Sequence, residues 1–318
     1  MKILITGVAG FIGSHLCEKL LSKGYSIIGT DNFDDFYSKE IKKANLQFSR
    51  LHSDFHFIET DIRNFRDLIK LRNEKIEIVI HLAAKVGVRP SIENPQDYIN
   101  CNITGTHNIL ELMKAINCSK LIFASSSSVY GNNKKIPFSE TDSVDAPVSP
   151  YAFTKKSCEL MNFNYHHLYN SSIVNLRFFT VYGPRQRPDL AIHKFFDKIY
   201  KNELIELYGD GKTGRDYTYI EDIVNGIILS VEFINSQTHP VYEIINLGNN
   251  HPVQLSDLIH AIKIVIGKPV KTTNLPMQQG DVDLTFADIS KAKRLLNYLP
   301  VTTLSDGLHK FKTWYENK

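Results

Sequence analysis

The chain has 318 residues, of which 42% are hydrophobic and 22% charged, with 37 basic residues against 34 acidic ones. That length exceeds what one compact core usually holds, so a large domain with a smaller lobe is expected. The net charge of +3 argues against a nucleic-acid partner or an anionic membrane surface, and the basic group Lys39 to Lys43 reads as a solvated helix face.

The first residues, MKILITG, run directly into a strand and a glycine loop. They lack a signal peptide's charged head, long apolar stretch and cleavage site, and no apolar run is long enough to span a bilayer, so a cytoplasmic protein is expected. After the strand at 2–6, residues 14–22 have helical periodicity and end near Gly24. Further strands are predicted at 26–30, followed by Asp31, and at 56–60, 76–82, 121–125 and 173–179. Strands this apolar, alternating with helical stretches, predict a doubly wound α/β fold. Its parallel sheet is covered on both faces, and ligands sit at the carboxyl ends of the strands. The four cysteines, Cys17, Cys101, Cys118 and Cys158, are single, with no CxxC pair, so neither a zinc site nor a redox dithiol is suggested.

After Val181 the βα rhythm weakens, and prolines and charges appear in YGPRQRPD at 182–189. A strand at 243–247 is followed by a tail of helices and short strands, including a capped helix begun by Asp288. The predicted division is a Rossmann-type domain of residues 1–180 plus 218–249 and a second lobe of residues 181–217 plus 250–318.

GVAGFIG, Gly7 to Gly13, lies between the first strand and the first helix. Glycines there let the backbone turn tightly and approach a pyrophosphate, whose charge sits at the helix N-terminus. Asp31, closing the second strand, can bind the adenosine ribose hydroxyls and would repel a 2′-phosphate, so NAD is favoured over NADP. Asp61 and Ile62 could serve the adenine, and Ala83, Ala84 and Lys85 could line the cofactor channel. Both stretches read equally well as strand-end packing and a solvated lysine. YAFTK, Tyr151 to Lys155, places a phenol and an ammonium one helical turn apart on one face. The ammonium favours the phenolate, which makes Tyr151 a candidate general base. SSSSVYG, Ser125 to Gly131, puts four hydroxyls in a row at a strand end.

Together with HLAAK at 81–85, LRFFTVYGPRQRPD at 176–189 and GRDYTYIEDIV at 214–224, these motifs resemble the extended short-chain dehydrogenase/reductases, and specifically the nucleotide-sugar epimerases. The resemblance covers nearly the whole chain. It implies that Ser126 hydrogen-bonds the reacting sugar hydroxyl, that Tyr151 takes its proton, that Lys155 binds the nicotinamide ribose and that Asn102 braces the active-site helix. It also implies an NAD contact set of Gly7, Gly10, Phe11, Ile12, Gly13, Asp31, Asn32, Asp61, Ile62, Leu82, Ala83, Ala84, Lys85, Asn102, Tyr151 and Lys155. The related 4,6-dehydratases carry an Asp-Glu pair where this chain has Ser127 and Ser128, and UDP-glucuronate decarboxylases tend to carry Glu at the second place. Serine cannot do a carboxylate's acid–base work at neutral pH, so elimination and decarboxylation are disfavoured.

GVRPSIENPQDY at 87–98, FFTVYGPRQRPD at 178–189 and MQQGDVDLTFADISKAK at 277–293 look like UDP-glucuronate 4-epimerases, with Thr180 and Gln278 in places where galactose-type epimerases have Asn and Arg. A uronate carboxylate would suit Ser127, Ser128 and Thr180, whose alternative is close strand-end packing. Arg185 and Arg89 are further candidates for the carboxylate, the diphosphate or a structural ion pair. Arg215 is the first phosphate candidate, its alternative being an ion pair with Asp216 or Asp210, and Asp281 is placed near the uridine ribose by resemblance. The implied partners are a UDP-sugar and a second copy of the chain, paired through the helix bearing Tyr151 and the one before it, in an enzyme of polysaccharide biosynthesis. UDP-N-acetylglucosamine or UDP-glucose as substrate, or a catalytically silent NAD-binding sensor or scaffold, are the alternatives. No metal is implied.

Overall fold

The structure is a computed structural model describing residues 1–209, 211–276 and 284–318. Its strands are β1 (Lys2–Thr6), β2 (Ser26–Asp31), β3 (Phe55–Glu59), β4 (Ile78–His81), β5 (Lys120–Ser126), β6 (Ser172–Phe178), β7 (Thr180–Tyr182), β8 (Leu204–Tyr208), β9 (Gly214–Tyr219), β10 (Tyr242–Leu247), β11 (Pro252–Gln254), β12 (Lys271–Leu275) and β13 (Leu284–Thr285). Its helices are α1 (Phe11–Ser22), α2 (Lys39–Asn45), α3 (Phe65–Leu68), α4 (Val88–Glu93), α5 (Pro95–Tyr98), α6 (Gly105–Ala115), α7 (Pro150–Tyr169), α8 (Ala191–Tyr200), α9 (Ile220–Ser236), α10 (Leu255–Ile266), α11 (Ser290–Leu296) and α12 (Leu304–Glu316).

Seven strands form one parallel sheet in the order β10-β6-β5-β4-β1-β2-β3. Side chains alternate across it with the period of two that strands impose. Ile3, Ile5, Ile78, Ile80, Ile122, Val174 and Leu176 pack into one apolar layer with Leu16, Leu20, Ile223 and Ile227 of α1 and α9. Leu4, Val79, Leu121, Phe123 and Ile173 pack into the other with Ile109, Leu112 and Tyr165 of α6 and α7. Burial on both faces is why these strands read as continuous apolar runs. The strand order reverses between β1 and β4, which opens a crevice beyond their carboxyl ends.

The later strands build two small sheets: β9 pairs with β7, β11 and β13, and β8 with β12. These short strands, several of them half exposed, carry no long apolar run. Two local expectations are corrected. Lys42 is not solvated: it is 6% exposed, its Nζ donates to the Asp34 carbonyl, and it lies 4.6 Å from the Tyr37 ring centre. Asp288 does not cap α11 as its N-cap residue; that position is Ile289, and the Asp288 carboxylate accepts from the Ser290 N–H at 2.9 Å.

Candidate active site

A cavity of about 400 Å³ runs along the carboxyl ends of β1, β2, β4 and β5. At one end the glycine loop folds back on its neighbours. Gly7 has φ +72°, and a Cβ there would lie 2.8 Å from the Ala83 nitrogen. A Cβ at Gly13 would lie 2.2 Å from the Gly7 carbonyl oxygen. Only glycine fits either place. Helix α1 has Gly10 as its N-cap and no side-chain cap, which leaves its amide end open to an anion. Asp31 closes β2 and accepts from the Ala9 and Phe33 amides at 3.1 and 2.9 Å, and burial pushes its carboxyl up from the usual range. Asn32 donates to Asp61, which also holds Arg63. Beneath the loop, Thr6, His81 and Thr106 form a buried chain, His81 sharing hydrogen bonds of 2.6 and 3.1 Å with the two threonines. The residues expected at the glycine loop, at Asp31–Asn32, at Asp61–Ile62 and at 82–85 all line this cavity. Lys85 is not a solvated lysine: its Nζ lies 3.0 Å from Asp34.

The other end is set by α7. Ser149 caps it by accepting from the Ala152 amide, and Pro150 occupies its first turn, an arrangement worth about 1 kcal/mol. The helix runs Tyr151 and Lys155 along one side. Tyr151 is fixed by its amide, which donates to Ser91 Oγ at 3.1 Å, and by an edge contact with Tyr98 at 6.2 Å. Lys155 is 4% exposed, and its Nζ donates to the Ala124 carbonyl at 2.7 Å. Asn102 does not line the cavity. Its side chain bridges the Lys85 backbone (2.8 and 3.0 Å) to Thr154 of α7 (2.9 Å), tying the helix to the channel turn.

The four serines divide. Ser125 donates to Glu159 at 2.6 Å, and Glu159 takes a bidentate contact from Arg177 at 2.9 and 2.8 Å, both side chains being 1% exposed. This strut clamps α7 to β5 and β6. Removing one partner of such a pair costs roughly 3–5 kcal/mol, because the other charge stays buried. All four serines line the cavity, but only Ser126, Ser127 and Ser128 keep their hydroxyls clear of this strut. Ser126 Oγ accepts from the Ser128 amide and donates to Ser128 Oγ, both at 3.1 Å, which bends the chain into a short turn. Thr180 faces the same space.

The arginine candidates do not converge there. Arg185 lies outside the cavity lining in an ion pair with Glu18 at 2.8 Å. Arg89 is exposed on α4, 5.0 Å from the Tyr208 ring, and Arg215 donates to its neighbour Gly214's carbonyl; neither lines the cavity. Asp216 is fully buried and accepts from Thr218 and from the Asn249, Asn250 and Ala287 amides, so it organises the small sheet. Asp210, Gln278 and Asp281 lie outside the described residues. The arginine that does line the cavity is Arg187, paired with Asp189 at 2.7 Å and stacked 5.5 Å from Phe36. Sequence reasoning missed it because the turn at Arg185, with φ +61°, decides which arginine points inward. Lys42 was missed too: with Asn45 it forms the buried, polar face of α2.

A family profile described as GDP-mannose 4,6 dehydratase matches residues 4–311. The chain belongs to that family. It is thereby an extended short-chain dehydrogenase/reductase with a Rossmann-like fold, as its motifs suggested. Among relatives, the Protein CapI of Staphylococcus aureus is 45% identical over 329 residues, covering 99% of this chain and 98% of its own. A UDP-glucuronate 4-epimerase of Thermodesulfobacterium geofontis is 45% identical over 313 residues, covering 98% of this chain and 95% of its own. The crystal structure of UDP-glucuronic acid 4-epimerase from Bacillus cereus, in complex with UDP-glucuronic acid and NAD, superimposes with a TM-score of 0.94 at 40% identity, covering 100% of this chain and 99% of its own. The family profile carries a dehydratase's description, and this member has Ser127 and Ser128 at the two places that its resemblance to the 4,6-dehydratases assigns to their Asp-Glu pair.

Proposed function

We propose that this chain is an NAD-dependent UDP-glucuronate 4-epimerase, converting UDP-glucuronate to UDP-galacturonate. The observation that carries this reading is one cavity lined both by the glycine loop and by Tyr151 and Lys155, with the neutral Ser127, Ser128 and Thr180 in the same lining. Several neutral hydroxyls suit a uronate carboxylate through charge-assisted hydrogen bonds. Arg187, in its pair with Asp189, lines the same cavity. The relatives described as UDP-glucuronate 4-epimerases support the same substrate.

The cradle fits NAD on this chain's own geometry: glycines where any Cβ would collide, a capless helix end for the pyrophosphate, and Asp31 for the ribose hydroxyls. When bound, NAD supplies the acceptor and donor of the C4 hydride. Tyr151 takes the 4-hydroxyl proton and returns it after the sugar has turned over, with Ser126 relaying the hydrogen bond. Lys155, anchored on the Ala124 carbonyl, holds the nicotinamide ribose. Ser127 and Ser128 hold the carboxylate so that its C–C bond stays out of line with the C4 ketone, which suppresses loss of CO₂.

Residues 1–180 plus 218–249 form the NAD domain, and 181–217 plus 250–318 form the UDP lobe, where Arg215 and Asp281 remain phosphate and uridine candidates, with Arg89 of the NAD domain a further one. The apolar residues Phe153, Leu160, Phe163 and Leu168 stand 44–59% exposed on α7, which supports pairing of two copies along this helix. Among the described residues no helix is long and apolar enough to cross a membrane, which is compatible with the cytoplasmic enzyme of polysaccharide biosynthesis we envisage. The test is proton NMR of UDP-glucuronate incubated with the protein and NAD. UDP-galacturonate should form without UDP-pentose, and Ser128→Glu should raise a 4-keto-pentose product. No change in the sugar signals would sink the uronate reading.

A further inference from the structure

We propose that Glu18, on the cofactor-binding helix α1, is a positioning residue that fixes the loop at 183–189 through Arg185. In this way it sets Arg187 in the cavity wall and couples the cofactor helix to the substrate end. The naming of that substrate rests on the proposed function above. Arg185 is a non-glycine residue with φ +61°, and Gly183 before it has φ +145°. A backbone of this kind persists only where surrounding contacts over-determine it. From the α1 side those contacts are two. Arg185 Nη2 lies 2.8 and 3.1 Å from the two Glu18 carboxylate oxygens, and His15 Nε2 shares a 2.9 Å hydrogen bond with the Pro184 carbonyl.

The far side of the loop is anchored separately. Gln186 donates to the Val181 carbonyl, its own carbonyl meets His193, and Arg187 grips Asp189. Between these anchors the left-handed residue is the point where the chain reverses, and Arg187 follows two positions later. Release of the Arg185 guanidinium lets that residue return to the right-handed region and swings Arg187 off the wall. The same α1 has Gly10 of the glycine loop as its N-cap, so whatever orders that helix end also orders the loop. By linkage, sugar and cofactor then strengthen one another's binding.

The strain itself supplies the test. Glycine adopts φ +61° unaided, so Arg185→Gly should make Glu18 dispensable. In NAD-loaded protein, Glu18→Ala should speed hydrogen exchange of the Gln186 amide, which is bonded to the Gly183 carbonyl, by about tenfold. It should also raise KM for UDP-glucuronate about tenfold while kcat changes less than about threefold. Adding Arg185→Gly to Glu18→Ala should restore both readouts to within about threefold of the wild type. Glu18→Gln, which keeps the bulk, should move both in the same direction by less. Unchanged exchange and KM in Glu18→Ala overturns the proposal, and so does a defect that the double variant fails to mend. A wild type that does not turn over UDP-glucuronate refutes the substrate reading, while the exchange rates still decide the coupling.

Discussion

The two ends of the cavity are built on different plans. The cofactor end is made almost wholly of backbone and of consecutive residues: Gly7 to Gly13 after β1, Asp31 at the end of β2, and 82–85 after β4. The sugar end gathers single side chains from β5, α7, β7 and the loop at 183–189. The first is a shape in which a side chain does harm. The second is a set of functional groups whose identities decide the reaction.

That contrast predicts different failures. Tyr151→Phe should cut turnover about a thousandfold while leaving NAD retention intact, read by steady-state rates and by the absorbance of the purified protein. Gly13→Ala should do the reverse, weakening NAD retention roughly a hundredfold, because its Cβ would fall 2.2 Å from the Gly7 oxygen. Calorimetric titration with NAD would measure it. If both changes cost turnover and cofactor equally, the division between the ends is wrong. Ser128→Ala should raise KM for UDP-glucuronate about tenfold, the low end for a hydrogen bond to a charged group, and should leave KM for UDP-glucose near its starting value.

The smallest expected effect belongs to His81. Burial holds it neutral, with its pKa pushed down to about 3. Such a histidine stabilises the fold above pH 6.5 and loses that contribution as pH falls toward 3, because only the unfolded chain then takes up the proton. His81→Asn should therefore flatten the acid side of the stability curve by at most one proton, roughly 1.4 kcal/mol per pH unit, in urea titrations at pH 7 and pH 5.

How legible each end was follows from how it is built. The seven parallel strands could be read because burial on both faces leaves them as unbroken apolar runs, and the glycine loop because its spacing is local. Tyr151 and Lys155 were legible for the same reason, being one turn apart. The arginines were not: Arg185 and Arg187 share one short run, and only the backbone reversal between them sends one to Glu18 and the other into the cavity. Lys42 carries no apolar periodicity to mark its helix face as buried, and Ser125 looks like its three neighbours until Glu159, 34 residues away, claims its hydroxyl. Long-range pairings of single polar groups leave no pattern in a sequence.

The central claim is that hydride leaves and returns to C4 within one closed site. It is tested most directly with UDP-glucuronate deuterated at C4, incubated with the protein and unlabelled NAD and followed by NMR. The account predicts UDP-galacturonate with the deuterium still at C4 and no pentose. Loss of the label to solvent, exchange into free NAD, or a UDP-pentose product would contradict it.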